Sequence, residues 1–129
     1  MRKVIMMAAL ACLSNNAMAE WTAVGTSDDG VNYANLATIR RKGDIAKMWS
    51  LMDFKTAKQL GQKSYLSHES QYEYNCMEEQ FREVFFTMYS SNMASGEQVY
   101  SSSNQIEWAP VRPGSLGEVK FKIACGITK

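Results

Sequence analysis

The chain has 129 residues, with 14 Lys and Arg against 13 Asp and Glu, and a formal net charge of +1. This length is enough for one domain with a modest core and leaves little room for two. A near-neutral chain also lacks the basic field of a nucleic-acid-binding protein, so we expect no nucleic-acid partner.

The N-terminus predicts an export signal over residues 1–19. Met1–Lys3 supply positive charge, Val4–Leu13 form an apolar run, and Ala17–Ala19 match the small-x-small cleavage pattern. A membrane-spanning helix needs about 20 apolar residues, so this shorter run predicts no retained transmembrane segment. We therefore expect cleavage after Ala19 and a mature domain over 20–129 that is extracytoplasmic, either periplasmic or secreted.

The alternative is a lipoprotein signal that ends at Cys12. Ala9 stands where such a site usually has leucine, so outer-membrane anchoring through Cys12 is disfavoured. Cleavage after Ala19 would also remove Arg2 and Lys3. The mature chain would then hold 12 basic and 13 acidic residues, a net charge of about −1.

Two cysteines, Cys76 and Cys125, remain after that cleavage, and an oxidising compartment favours their pairing. The bridge would close a long loop and contribute about 4 kcal/mol in the loop-entropy model. A metal site on this pair is disfavoured, because the cysteines are far apart and the chain has one histidine. We expect neither a metal nor a cofactor.

Alternating apolar and polar residues, with frequent turn signals, predict an antiparallel meander. The predicted strands are Trp21–Gly25, Val31–Ile39, Ile45–Phe54, Ser64–Cys76, Phe81–Ser90 and Glu97–Ser101. Arg40–Asp44 is interpreted as a hairpin loop and Thr56–Lys63 as a polar loop. The third strand carries apolar residues on both faces, which predicts a central position in the sheet.

The fourth predicted strand alternates most cleanly. Tyr72, Tyr74 and Cys76 share one face, which should be covered because the disulfide partner must lie over it. Glu69 and Glu73 share the other face, which is interpreted as solvated.

The C-terminal tail carries two conflicting signals. Ser115 and Glu118 form a capping box, which predicts a helix start. Strict alternation over Val119–Cys125 predicts a strand instead. A helix would place three residues on one apolar stripe: Leu116, Val119 and Ile123. The residues alone leave both structures open.

No enzyme is expected, and no catalytic residue is assigned. His68 is the single histidine, and its position among apolar strand residues favours a packed, hydrogen-bonded ring over a general base. Asp53, Glu69 and Glu73 are candidate acid–base groups, but no pair is seen to converge. Five methionines remain after the predicted cleavage, and two of them, Met48 and Met52, are too widely spaced on a strand to share a metal ion, which favours packing.

Two basic clusters and one tryptophan are the candidate partner-binding residues. The first cluster is Arg40, Arg41 and Lys42 at the predicted hairpin tip, and the second is Lys55, Lys58 and Lys63 in the next predicted loop. Loop tips on a rigid sheet often carry recognition residues, and such clusters attract acidic or sulfated partners. Trp108 is a candidate anchor for a protein partner or a homodimer.

Three segments follow one another in a recognisable order: Trp49–Asp53, Tyr72–Cys76, and Trp108–Ser115 before Cys125. Together they resemble the surface-adhesin protein E family of Gram-negative bacteria. The resemblance implies an α+β fold with one curved antiparallel sheet of about six strands and a C-terminal α-helix packed on one face. It also implies that this helix begins at Ser115 and is tied to the sheet by the Cys76–Cys125 disulfide.

The resemblance further implies a non-enzymatic adhesin that binds extracellular or host matrix and plasma proteins, such as vitronectin, laminin and plasminogen. The alternative is a soluble periplasmic accessory protein of envelope maintenance that binds a small ligand or an envelope protein. Either function predicts an exported binding protein, and family membership by itself does not decide between them.

Overall fold

Hairpins between consecutive strands build one antiparallel sheet in the computed structural model, which describes residues 20–103 and 105–128. The strands are β1 (Thr22–Ser27), β2 (Gly30–Lys42), β3 (Ile45–Leu60), β4 (Lys63–Asn75), β5 (Gln80–Ser91), β6 (Ser95–Ser102) and β7 (Ala109–Pro110). Their order is β1 to β6 in sequence, with β7 beside β5. The predicted meander is confirmed, and the curvature that the resemblance implies stays a prediction.

The export signal and the Cys12 alternative lie outside the described residues. Within the described part of the chain, no helix is long and apolar enough to cross a membrane.

Two segments that were predicted as loops belong mostly to strands. Tight turns allow strand pairing to continue almost to the end of each hairpin. Gly43 and Gly61 take positive φ values of 60° and 62° in these turns, where glycine carries no steric cost. Arg40–Lys42 therefore belong to β2 and pair with Ile45–Lys47. Past an irregularity in register, the end of β3 pairs with the start of β4 in the same way, so the predicted loop Thr56–Lys63 is wrong.

Strand β3 lies in the middle of the six long strands, as its two apolar faces predict. Met48 is fully buried on one face and Leu51 is 1% exposed on the other. Met48 joins the main apolar cluster, so packing explains this methionine. We call the surface that carries Ala46, Met48 and Tyr74 the helix face and the opposite surface the outer face.

The tail after Gly114 forms a helix, α1 (Leu116–Cys125), as the capping box predicts. The Ser115 hydroxyl accepts a hydrogen bond from the Glu118 amide at 3.1 Å, and a Glu118 carboxylate oxygen accepts one from the Gly114 amide at 2.9 Å. The first bond satisfies an amide that a helix start leaves without a partner, and the second ties the preceding turn to the first turn of the helix. The strand alternative for the tail is therefore wrong.

The buried side of α1 differs from the predicted stripe. Phe121 and Ala124 are 4% exposed and join Met48 and Tyr74 in the core, whereas Val119 is 42% exposed. The Phe121 and Tyr74 rings lie 6.4 Å apart in an edge arrangement. The helix turns its largest side chain toward the sheet, and that rotation carries Val119 to the solvent side.

The Cys76–Cys125 disulfide is present and joins the residue directly after β4 to the last residue of α1. The predicted pairing is confirmed. The bridge fixes the C-terminal end of a helix that is too short to be stable by itself.

We expect replacement of both bridge cysteines by serine to lower the free energy of unfolding by about 4 kcal/mol, because the unfolded chain loses a cross-link over 49 residues. Urea denaturation of the wild type with and without a reducing agent should reproduce the loss. A serine variant as stable as the oxidised protein would contradict the assigned role of the bridge.

We expect Phe121→Ala to lower the free energy of unfolding by about 3 kcal/mol, because it empties the contact between α1 and the sheet. The matched control is Val119→Ala on the solvent side of the same helix, which should change stability by less than about 0.5 kcal/mol. Equal losses in the two variants would contradict the helix orientation.

Candidate functional site

A row of charged side chains crosses the outer face at the β2–β3 hairpin end. Arg40 pairs with Lys47 across β2 and β3, Lys47 with Glu73 across β3 and β4, and Glu73 with Arg82 across β4 and β5. The Trp108 ring, just before β7, completes the row and lies 4.4 Å from the Arg82 guanidinium carbon. We call these five residues the charged row. It contains two predicted candidates, Arg40 and Trp108, at its opposite ends.

Glu73 is the centre of the charged row and is 9% exposed, so the solvated position predicted for it is wrong. Arg82 donates to one carboxylate oxygen from Nε at 2.9 Å, and its Nη2 lies 2.8 Å from that oxygen. The Lys47 ammonium lies 3.7 Å from the other oxygen. Two cations therefore hold this carboxylate, and the row keeps a surplus of positive charge.

A groove of 410 Å³ opens where the charged row meets the hairpin. Its lining consists of Arg40, Arg41, Lys42, Ile45, Lys47 and Glu73. Arg41 also reaches back, with its Nη1 donating to the Cys125 carbonyl at 3.4 Å. The first predicted basic cluster thus surrounds a groove, although its residues lie at a strand end and not in a loop.

The second predicted cluster lies elsewhere. Lys55 and Lys58 belong to β3 and Lys63 begins β4, toward the opposite end of β3 from Lys47. At about 3.3 Å per residue, Lys47 and Lys58 are separated by roughly 35 Å along the strand. Lys58 is paired with Asp29 at 3.4 Å. The structure therefore does not bring the two basic clusters together.

A polar cluster occupies the helix face under α1. Glu83 on β5 accepts a hydrogen bond from the Ser70 hydroxyl at 2.5 Å, and the same carboxylate oxygen lies 3.2 Å from His68 Nε2. The His68 ring stacks on Phe86 with 4.8 Å between centroids. His68 is thus packed and hydrogen-bonded, in the way that its position predicts.

The candidate acid–base carboxylates do not converge. Asp53 accepts hydrogen bonds from the Asn92 side chain and the Met93 amide, which fixes the β5–β6 turn. Glu69 is half-buried and accepts a hydrogen bond from the Tyr89 hydroxyl at 3.3 Å. Burial raises the pKa of Glu69 by more than this hydrogen bond lowers it. Glu73 is held by Arg82. Among the described residues, no three His, Cys, Asp or Glu side chains are grouped to hold a metal ion.

Lys120 projects from α1 into the same polar cluster. Its ammonium lies 3.5 Å from the Asn32 side-chain oxygen and 5.5 Å from the centroid of the Tyr72 ring. Burial lowers the pKa of Lys120 to about 8, against the attraction of Glu83. Burial would raise the pKa of Glu83, but the hydrogen bonds from His68 and Ser70 and the charges of His68 and Lys120 outweigh it and lower that pKa.

Three adjoining cavities form a groove between α1 and the sheet, which we call the helix groove. The polar cavity has 60 Å³ and is lined by Asn32, Ser50, Leu51, Met52, His68, Ser70, Tyr72 and Lys120. The middle cavity has 190 Å³ and is lined by Tyr72, Tyr74, Phe81, Leu116, Gly117 and Lys120. The outer cavity has 380 Å³ and is lined by Phe81, Ala109, Pro110, Arg112, Ser115 and Gly117.

Sequence reasoning missed Lys47, Arg82, Ser50 and Lys120. Pairing β2 with β3 outward from Gly43 would have placed Lys47 opposite Arg40, so a signal for the charged row existed. Lys120 offers no such signal, because its inward position depends on the rotation of α1.

Comparison with known proteins gives one family and one fold. The family model described as surface-adhesin protein E matches residues 21–126. A structure of Haemophilus influenzae protein E is similar at 12% identity and a TM-score of 0.64, covering 85% of this chain and 86% of that chain. Protein E from non-typeable Haemophilus influenzae gives 11% identity and a TM-score of 0.62, covering 84% and 78% respectively. No curated protein matches the sequence.

We expect Lys120→Met to raise the free energy of unfolding by about 2 kcal/mol at pH 7, because a charge is no longer buried. Lys120 has a lowered pKa in the folded chain, so its charge opposes folding below pH 8, and this cost declines as pH rises toward 10.5. The advantage of the variant should therefore roughly halve by pH 9.5.

Urea denaturation at the two pH values measures this effect. Lys122→Met is the matched control, because Lys122 is more exposed and pairs with Glu118 at 3.9 Å. A Lys120→Met protein that is less stable than the wild type at pH 7 would contradict the assigned cost.

Proposed function

Since the chain belongs to the surface-adhesin protein E family, we propose that it is an exported, non-enzymatic binding protein that holds an extracellular or host matrix protein through the charged row. Export by the signal over residues 1–19 brings the domain to the compartment where such partners are found.

The observation that supports this proposal is the groove at the hairpin end of the charged row. Arg40, Lys42 and Lys47 surround it, and its one carboxylate, Glu73, is already paired with Arg82. The groove therefore presents unbalanced positive charge on a chain that is near neutral overall. A partner with an acidic or sulfated segment would be attracted to this end of the sheet.

Trp108 supports the same surface in a different way. Its ring covers the Arg82 guanidinium and so helps to fix the cation that holds Glu73. Arginine and tryptophan are frequent among residues that dominate binding energy. We propose that Trp108 rigidifies one end of the charged row, and a homodimer through this residue remains a prediction.

The second candidate function is that of a soluble periplasmic accessory protein. It is favoured by the helix groove, which has the size for a small ligand and not for a folded partner. Fractionation of the native cell separates the two functions: protein found at the surface or in the medium supports the adhesin, and protein confined to the periplasm supports the accessory protein.

We expect the double variant Arg40→Ala/Lys42→Ala to bind an immobilised matrix protein about fivefold more weakly than the wild type at low salt, because two exposed charges leave the groove rim. Surface plasmon resonance against vitronectin, laminin and plasminogen measures the effect. The loss should appear in the association rate and shrink as salt is added.

The matched control is Lys55→Ala/Lys63→Ala, which removes the same charge from exposed positions at the other end of β3. It should bind like the wild type. Equal losses in the two double variants would indicate general charge attraction and contradict a site at the charged row.

A further inference from the structure

The polar end of the helix groove has hydrogen-bond donors without matching acceptors. The Lys120 ammonium has three N–H bonds, and its hydrogen bond to Asn32 is long at 3.5 Å. Glu83 attracts it from beyond ion-pair distance, because Glu83 already faces His68 and Ser70. The Ser50 hydroxyl is buried and makes no hydrogen bond of standard geometry among the described residues, and its polar neighbour is the Tyr74 hydroxyl. A small acceptor group placed here would satisfy both donors.

The charges around this end define the kind of acceptor. Lys120 and His68 line the cavity, and the one carboxylate beside them, Glu83, is paired with His68 and attracts Lys120 from further away. Because His68 is already paired with Glu83, a dianion such as a phosphate monoester would bring more negative charge than Lys120 can balance. A single carboxylate balances the ammonium and accepts several hydrogen bonds, which are strong when both partners are ionised.

The middle of the helix groove is apolar and aromatic. Tyr72, Tyr74, Phe81 and Leu116 line its 190 Å³, several times the roughly 30 Å³ that one water molecule occupies in the liquid. Gly117 adds no side chain on the helix side, which keeps this passage open toward the outer cavity. Such a surface gains free energy by burying a hydrocarbon chain.

We infer that the helix groove binds an amphiphilic monocarboxylate of the medium-chain fatty-acid class, with its carboxylate at Lys120 and Ser50 and its chain against Tyr72, Tyr74 and Phe81. This site is independent of the charged row, which lies on the outer face. It adds a small-molecule ligand to a binding protein whose proposed partner is another macromolecule.

Isothermal titration of the mature chain with octanoate tests the inference, with 1-octanol as the uncharged probe of equal chain length. We expect octanoate to bind at least tenfold more tightly than 1-octanol. Across hexanoate, octanoate and decanoate, the affinity should rise by about fourfold for each methylene that enters the apolar passage. Equal binding of octanoate and 1-octanol, or no binding of octanoate, would overturn the inference.

Lys120→Met is the decisive variant, and its urea denaturation, measured alongside binding, separates lost binding from unfolding. We expect at least tenfold weaker octanoate binding in this variant and about threefold weaker binding in Ser50→Ala, which removes a donor from the cavity wall. Lys122→Met is the matched control and should bind like the wild type. Unchanged affinity in Lys120→Met would overturn the proposed site.

Experiments can contradict matrix-protein binding at the charged row and octanoate binding in the helix groove independently of each other. Arg40→Ala/Lys42→Ala leaves the helix groove intact and should bind octanoate like the wild type, whatever its effect on matrix proteins. Loss of octanoate binding in that double variant would place the ligand on the outer face and overturn the inference.

Discussion

The contact of Phe121 with the sheet is the interaction on which the rest of the structure depends. The apolar face of a single antiparallel sheet has to be shielded from water by another element. In the described chain, one ten-residue helix shields it. Phe121 and Ala124 fill the contact near the end of the helix that the Cys76–Cys125 bridge holds. The N-terminal half of α1 carries Gly117 and Lys120 toward the sheet, so it covers the face without filling it. The helix groove follows from this uneven packing.

The charged row depends on strand register and not on any local motif. Because the tight turn at Gly43 extends the β2–β3 hairpin to its tip, Arg40 and Lys47 become direct neighbours. The next two hairpins align Glu73 and Arg82 in the same row. The buried Glu73 carboxylate separates Lys47 from Arg82, whereas the like charges of Arg40 and Lys47 lie directly opposite each other. A slip of one residue in either pairing would turn these side chains to the helix face.

The sequence allowed the strands, the central position of β3, the disulfide and the helix start at Ser115 to be predicted, because each leaves a local pattern or follows from the compartment. It did not allow the rotation of α1 to be predicted, since Val119 and Phe121 are both apolar and only packing against Tyr74 decides between them. Glu73 looked solvated for a related reason: its burial comes from Arg82 on a neighbouring strand. Both proposed sites depend on such contacts between distant residues, and neither is visible as a motif.

Cys125 contacts groups that belong to both candidate binding sites. Its carbonyl accepts a hydrogen bond from Arg41, which lines the groove on the charged row, and its sulfur holds the helix that covers the helix groove. An oxidised bridge therefore holds the end of α1 beside Arg41, while reduction would free that end and weaken one of the two hydrogen-bonded contacts of Arg41, the other being to the Gly43 carbonyl. Lys120 adds a charge that costs stability in a domain held partly by this bridge. The Lys120 ammonium beside the unfilled apolar passage does not help the chain to fold. Its benefit is therefore to be sought in ligand binding.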